Sequence, residues 1–244
     1  MKETTSIVNK ETRTPSFFII IAIVGLFAVL IGFAKTFIIP TVEGTFKAPL
    51  IIHIHGAFAF SWILLFLIQT SLIHYRKYNI HQYLGVLGIF IAGGVMVTMI
   101  STGKYIVDRD LNQGLGEFSY SSILGVIISG LIFFILVLLG ILKRNDSATH
   151  KRLMLLATIL VLWPAWSRFR HYFPTVPRPD IWFSLVLAQS LTIVAWIWDK
   201  LKYGKIHPTL LYVGLFIILE QSFEVIAFDS PAWRIIAKWL YNIL

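Results

Sequence analysis

The sequence predicts an all-α polytopic membrane protein: a bundle of seven transmembrane helices followed by a carboxyl-terminal interfacial amphipathic helix. Three observations carry this reading. Of the 244 residues, 57% are hydrophobic and only 14% charged, and the mean hydropathy is +0.78, more apolar surface than a soluble domain of this length can bury. The apolar residues gather into runs near 16–39, 49–74, 82–101, 119–142, 152–169, 181–198 and 208–228, each close to the roughly 20 residues a helix needs to cross about 30 Å of hydrocarbon. Every connection between runs is under about 20 residues, so no globular domain is inserted.

Residues 1–15, MKETTSIVNKETRTP, are polar and of mixed charge and read as a flexible cytoplasmic tail. The run that follows is about 23 residues, too long for a signal-peptide core and without a small-residue cleavage site, so it reads as a retained first span. The second run places His53 and His55 at its entry and His74 at its exit, and His81 opens the third. The 21 residues from His53 to His74 would cover about 31 Å as a helix, so both ends of one span carry metal-competent, titratable groups. At helical spacing His55, Ala59, Trp62, Phe66 and Gln69 share one stripe, which a His and a Gln would turn toward other helices and away from lipid. His53 lies about 160° round from His55, so both can serve one site only where the helix begins between them.

In the third run the glycines of GVLGIFIAGG, with Ser61, Ser71 and Thr98, read as close helix packing; no strand precedes them, so they do not form a nucleotide loop. The fourth run opens with Tyr120, Ser121 and Ser122. The fifth is the weakest, short and broken by Trp163-Pro164, where a kink is expected. It repeats the spacing of the second, because His150 and His171 are also 21 residues apart. The seventh carries Glu220 and Glu224, one turn apart on one face. The transmembrane domain is thus 16–228. Beyond it, 229–244 opens with the cap Asp229-Ser230-Pro231 and sets Arg234, Lys238 and Asn242 in a polar stripe, as an anchor lying in the interface would.

The net charge of +9 would point to nucleic acid in a soluble protein. Here the basic residues sit between apolar runs, where topology explains them, and no nucleic-acid function is read. With the tail inside, twelve Lys and Arg fall on the cytoplasmic side and nine on the other. This bias sets the amino terminus in the cytoplasm and the carboxyl terminus outside. Zero cysteines exclude disulfides, thiolate nucleophiles, iron–sulfur clusters and thiolate zinc sites.

Threading the spans sorts the histidines into two layers: His74, His81, His150 and His207 at the cytoplasmic face, and His53, His55 and His171 at the outer one. Counted from Pro208, Glu220 lies about 18 Å and Glu224 about 24 Å along its helix, beside the outer layer. Ionisable groups inside a span are costly and mark function by default. The outer set His53, His55, Arg168, His171, Glu220 and Glu224 is the sharpest expectation, with Arg168 and Arg170 as counter-ions; His81 and His150 form a second pair at the cytoplasmic face. For chemistry, neutral imidazoles of His53, His55, His81, His150 and His171 suit axial ligation of haem b. His55, His171, Glu220 and Glu224 suit a divalent metal such as Zn, Mn or Fe. The same groups could relay protons, which makes proton-coupled transport the rival class. Transport predicts an internal repeat or paired broken helices, and the sequence shows the single Trp163-Pro164 break. A hydrolase is disfavoured, since neither a Ser-His-Asp grouping nor an H-E-x-x-H pattern appears. A scaffold or assembly role, with a membrane-complex partner or a second copy of the chain, is the third reading.

The set His53-Ile54-His55-Gly56, Trp62, Gln69, His81-Gln82-Tyr83-Leu84-Gly85, Thr149-His150-Lys151-Arg152-Leu153-Met154 and Arg168, with His207-Pro208 and Pro231-Ala232-Trp233 near the end, resembles bacterial multi-spanning inner-membrane proteins that share a domain of unknown function. Their H-x-H-G, H-x-x-L-G and H-x-R-x-M motifs recur here over nearly the whole chain from about residue 49. The resemblance implies the inner membrane of a bacterium and carries no activity.

Overall fold

The computed structural model describes residues 16–244; the expected tail, 1–15, lies outside the described residues. Seven helices are long and apolar enough to cross a membrane: α1 (Phe17–Val42), α2 (Leu50–His74), α3 (Tyr78–Asn112), α4 (Gly116–Leu142), α5 (Ser147–His171), α6 (Asp180–Tyr203) and α7 (Pro208–Ala227). A last helix, α8, covers Pro231–Ile243. No strand occurs among the described residues. The chain is a multi-pass integral membrane protein whose spans contact the lipid bilayer.

Three departures from ideal α-helix fall beside prolines. In α1 the backbone widens to a π-turn over Ala34–Ile38, just ahead of Pro40, which has no amide to donate to the ladder. In α5 the helix breaks between Val161 and Trp163, at the expected Trp163-Pro164 step. After Pro177 and Pro179, α6 opens as a π-helix over Asp180–Leu187. Helix α3 runs well past the expected 82–101. Its carboxyl-terminal end is held by α8, where Tyr241 donates a short hydrogen bond to the Asp108 carboxylate and Ala237 packs with Val107 and Ile123.

Consecutive spans run antiparallel, so their ends gather at two faces. The parallel course of α1 and α5 is fixed at both ends: Lys151 lies over the Phe18 ring, and Arg168 over the Phe33 ring. The face holding His81 and His150 is called the His81 face below, and the opposite one the His55 face. At the centre stands α5. Its apolar stretch has the lowest mean hydropathy of the seven, 1.2, yet is 67% buried against 22–44% for the others. A helix that protein shields from lipid can carry polar groups, provided that each finds a partner. Thr158 accepts from the Trp62 indole at 3.2 Å, and Arg152 is paired with Asp199. Around it, small residues let the helices close up: a Cβ at Gly32 would stand 2.3 Å from the Ala165 carbonyl oxygen, and one at Gly94 2.6 Å from the Phe58 ring.

Candidate functional site

Two of the seven histidines are brought together, edge to face. His81 lies in the first turn of α3 and His150 in the first turn of α5, with ring centroids 6.2 Å apart and planes at 88°. Local sequence sets each position. Asp146 caps α5, its carboxylate accepting from the Ala148 and Thr149 amides at 3.1 and 3.2 Å and from the Thr149 hydroxyl at 2.6 Å. His150 is thereby turned toward the end of α4, whose last-turn carbonyls have no helical partner. Its Nδ1 lies 2.7 Å from the Gly140 oxygen. A carbonyl only accepts, so Nδ1 carries the proton and Nε2 presents a lone pair. On the other ring, His81 Nδ1 is buried with no hydrogen-bond partner. Gln69, at the inner end of the α2 stripe, donates to the His81 carbonyl at 3.1 Å and leaves its own Oε1 buried and unpartnered. The pair thus presents the His150 Nε2 lone pair, and beside it the His81 Nδ1 and the Gln69 amide oxygen are buried without a hydrogen-bond partner among the described residues.

The expected outer site is dispersed. His55 is half-buried on its stripe and turned toward α3 as the spacing requires, with Nδ1 2.9 Å from Thr98 Oγ1. That hydroxyl donates to the Gly94 carbonyl at 2.6 Å, so it accepts from His55. His53 turns the other way, because α2 already begins at Leu50, and its ring sits between Phe37 and Phe46 with centroids 5.7 and 5.5 Å away. His171 and Arg170 are exposed at the end of α5, where the His171 carbonyl accepts from Lys35 at 3.2 Å.

Arg168 is not a counter-ion to the glutamates. Its guanidinium stacks on Phe33 at 4.0 Å and donates to the Thr36 hydroxyl at 3.1 Å and the Pro164 carbonyl at 2.6 Å. That carbonyl is available because α5 tightens into a 3₁₀ turn over Arg168–His171. The four-residue metal set His55, His171, Glu220 and Glu224 is likewise not assembled: among the described residues no three His, Asp or Glu side chains converge as a metal ion would need.

Glu220 and Glu224 instead face the gap between α7 and α4, where Glu224 Oε1 would stand 3.2 Å from a Cβ at Gly125. Both Glu220 oxygens and Oε1 of Glu224 are buried without a hydrogen-bond partner, as are the indole nitrogens of Trp163 and Trp166 and the Ser129 hydroxyl. Among the described residues, no ion pair neutralises either glutamate.

Sequence reasoning missed the most enclosed charge pair. Arg152 donates to both oxygens of Asp199 at 2.9 and 2.5 Å, with side chains 4% and 1% exposed. Both residues sit beside loop lysines, so their charges read as topology; only their depth past the helix ends separates them. Thr98, the partner of His55, read as a packing residue for the same want of a visible partner.

No family model, no curated protein and no solved structure matches the chain.

Proposed function

We propose that this protein binds haem between His81 and His150 as its two axial ligands and serves as an electron carrier at one face of the membrane. The observation that carries the reading is the paired imidazoles, 6.2 Å apart and crossed at 88°. Two nitrogens that share one ion, each about 2.0–2.1 Å from it, place their ring centroids about 5–6.5 Å apart, depending on the angle between them. Ligand arithmetic favours haem over a bare divalent ion. A zinc site needs three or four side chains, and among the described residues no third acidic or imidazole group joins the pair. Haem needs two, because its macrocycle supplies the rest.

When bound, haem would supply one-electron chemistry; the chain's part is to hold and tune it. The Gly140 carbonyl fixes the tautomer and orientation of His150, the arrangement that raises the basicity of a metal-ligating imidazole. Gly85, one turn along α3 from His81, keeps that helix face free of side chain, and a Cβ there would meet only Gln69, at 3.9 Å. The excess of Lys and Arg on this side supports a cytoplasmic position for this face.

The test is an absorption spectrum of the full chain purified in mild detergent from haem-supplemented cells. A Soret band that shifts on dithionite is expected, lost in His81→Ala and in His150→Ala and kept in His55→Ala. A wild-type protein with no Soret band overturns haem, and elemental analysis then tests a divalent ion.

A second reading, proton-coupled transport, rests on a separate observation: the neighbouring carboxyls of Glu220 and Glu224, three of whose oxygens are buried without a hydrogen-bond partner, in a bundle where α1, α5 and α6 all leave α-helical geometry in their His55-face halves. Irregular backbone at membrane depth is tolerated where it is buried in protein or lines a cavity. Proton flux into proteoliposomes that persists in Glu220→Gln/Glu224→Gln would remove this reading.

A further inference from the structure

On the His81 face, away from the histidine pair, a cavity of 230 Å³ opens between the start of α5, the end of α6 and the start of α7, lined by Ala148, Lys151, Arg152, Tyr203, Lys205 and His207. We infer that this cavity binds the phosphate group of an anionic phospholipid from the adjoining leaflet.

The charge around it is one-sided. Three cations and a histidine line the cavity, and no carboxylate does. Asp199, the acid beneath, is fully engaged: both its oxygens accept from Arg152, and one also takes the His207 amide at 2.9 Å. The other nearby acid, Asp146, is turned to the Ala148 and Thr149 amides and the Thr149 hydroxyl. Lys151 and Lys205 therefore keep their charge for a ligand. Lys151 is held in place, 3.4 Å from the Tyr203 hydroxyl and over the Phe18 and Tyr203 rings at 5.7 and 5.5 Å. The Arg152 guanidinium lies 5.4 Å from the Tyr203 ring. Cations grouped at a helix end near the headgroups are the recognised chemistry for lipid phosphate.

The surroundings favour a lipid over a soluble phosphate. Phe17 stacks on Trp198 at 4.4 Å, and Trp198 meets Phe18 at 5.6 Å and Tyr203 at 5.6 Å, edge to face. Lys202 lies over the same indole at 5.2 Å. Such a belt of aromatic rings and lysines marks the headgroup level of a bilayer. A headgroup lodged between Lys151 and Lys205 can leave its acyl chains along the exposed apolar side chains of α6, Ile197, Val194 and Ile193.

The full chain in mild detergent, incubated with an equimolar mixture of phosphatidylglycerol and phosphatidylcholine, is read by native mass spectrometry. Preferential retention of phosphatidylglycerol is expected. Each lysine near an anionic headgroup is worth about fivefold, so the preference should fall about 25-fold in Lys151→Gln/Lys205→Gln and about fivefold in Lys205→Gln, whose exposed side chain can be changed without disturbing packing. Lys200→Gln, an exposed lysine outside the cavity, should leave it unchanged. Equal retention of the two lipids by wild type, or a preference that Lys205→Gln and the double variant leave intact, overturns the inference. A second arm compares melting in lipid-free detergent with sodium phosphate or sodium chloride at equal ionic strength. Stabilisation by phosphate that the double variant loses, without any lipid preference, assigns the cavity to a soluble phosphate and overturns the lipid assignment.

Discussion

Replacing Asp199 by Leu should be among the most destabilising single changes in the protein. The carboxylate receives two bonds from Arg152, at 2.9 and 2.5 Å, and one from the His207 amide, at 2.9 Å. Without it, Arg152 keeps only the Ala148 carbonyl, 2.8 Å from Nη1, for a side chain that is 4% exposed, and the amide loses its acceptor. Breaking a buried pair in this way costs about 3–5 kcal/mol. At about 2–4 °C per kcal/mol for a chain of this size, the melting midpoint should fall by about 6–20 °C. The eight tryptophans make intrinsic fluorescence during heating in mild detergent a suitable assay. The control is Arg152→Met/Asp199→Leu. It removes both charges together and leaves only the amide unpaired, so it should recover more than half of the loss. A drop below about 2 °C for the single variant, or a double variant no better than the single, would refute the reasoning.

Other outcomes follow from the same coordinates. Glu220→Leu should raise the melting midpoint, because both carboxyl oxygens are buried without partners and removing such a group gains about 1–3 kcal/mol; a lower midpoint would show that the carboxyl has a stabilising role. Gly32→Ala should cost about 1–3 kcal/mol, since the new Cβ would meet the Ala165 backbone oxygen at 2.3 Å; unchanged melting would mean that α1 and α5 separate easily. Asp229 is held below the usual carboxylate range first by its hydrogen bonds from Arg234, then by the Ser121 hydroxyl. Its support for α8 should therefore be complete above the unfolded carboxylate value of about 3.9 and fade as pH falls through the lower folded value. Hydrogen exchange of α8, corrected for intrinsic rates, would test this, with Asp229→Asn unprotected throughout; protection already lost at pH 5 would contradict it.

The architecture was legible because lipid enforces it: seven runs of apolar residues became seven spans, and the polar breaks between them became the connections. Boundaries failed where protein replaces lipid as the neighbour. The expected third span stopped at residue 101, ahead of Lys104, but α3 continues to Asn112 because α8 packs beside it. The α2 stripe was also legible, and His55, Trp62, Phe66 and Gln69 all turn toward other helices. The candidate residues were legible one by one, and their grouping was not. Depth along each helix put three histidines and two glutamates in one outer layer, yet depth says nothing about azimuth, and those side chains point to different neighbours. His81 and His150 stand in the expectation only as a second pair beside the outer set, and they are the two that meet. What selects them is the end of α4, where a free carbonyl turns His150, and no spacing rule within one helix contains that information.

The central place of α5 bears on how the protein enters the membrane. With Lys151 and Arg152 in its first turns and the lowest mean hydropathy of the seven spans, 1.2, α5 is the helix that a translocon judging one segment at a time would be slowest to release into lipid. By the time α5 is made, α1 to α4 are already synthesised and offer it a protein surface; Asp199 arrives only with the next helix. Integration of this chain is thus a collective event. Until α6 is in place, Arg152 lacks the carboxylate that pairs with it in the folded bundle.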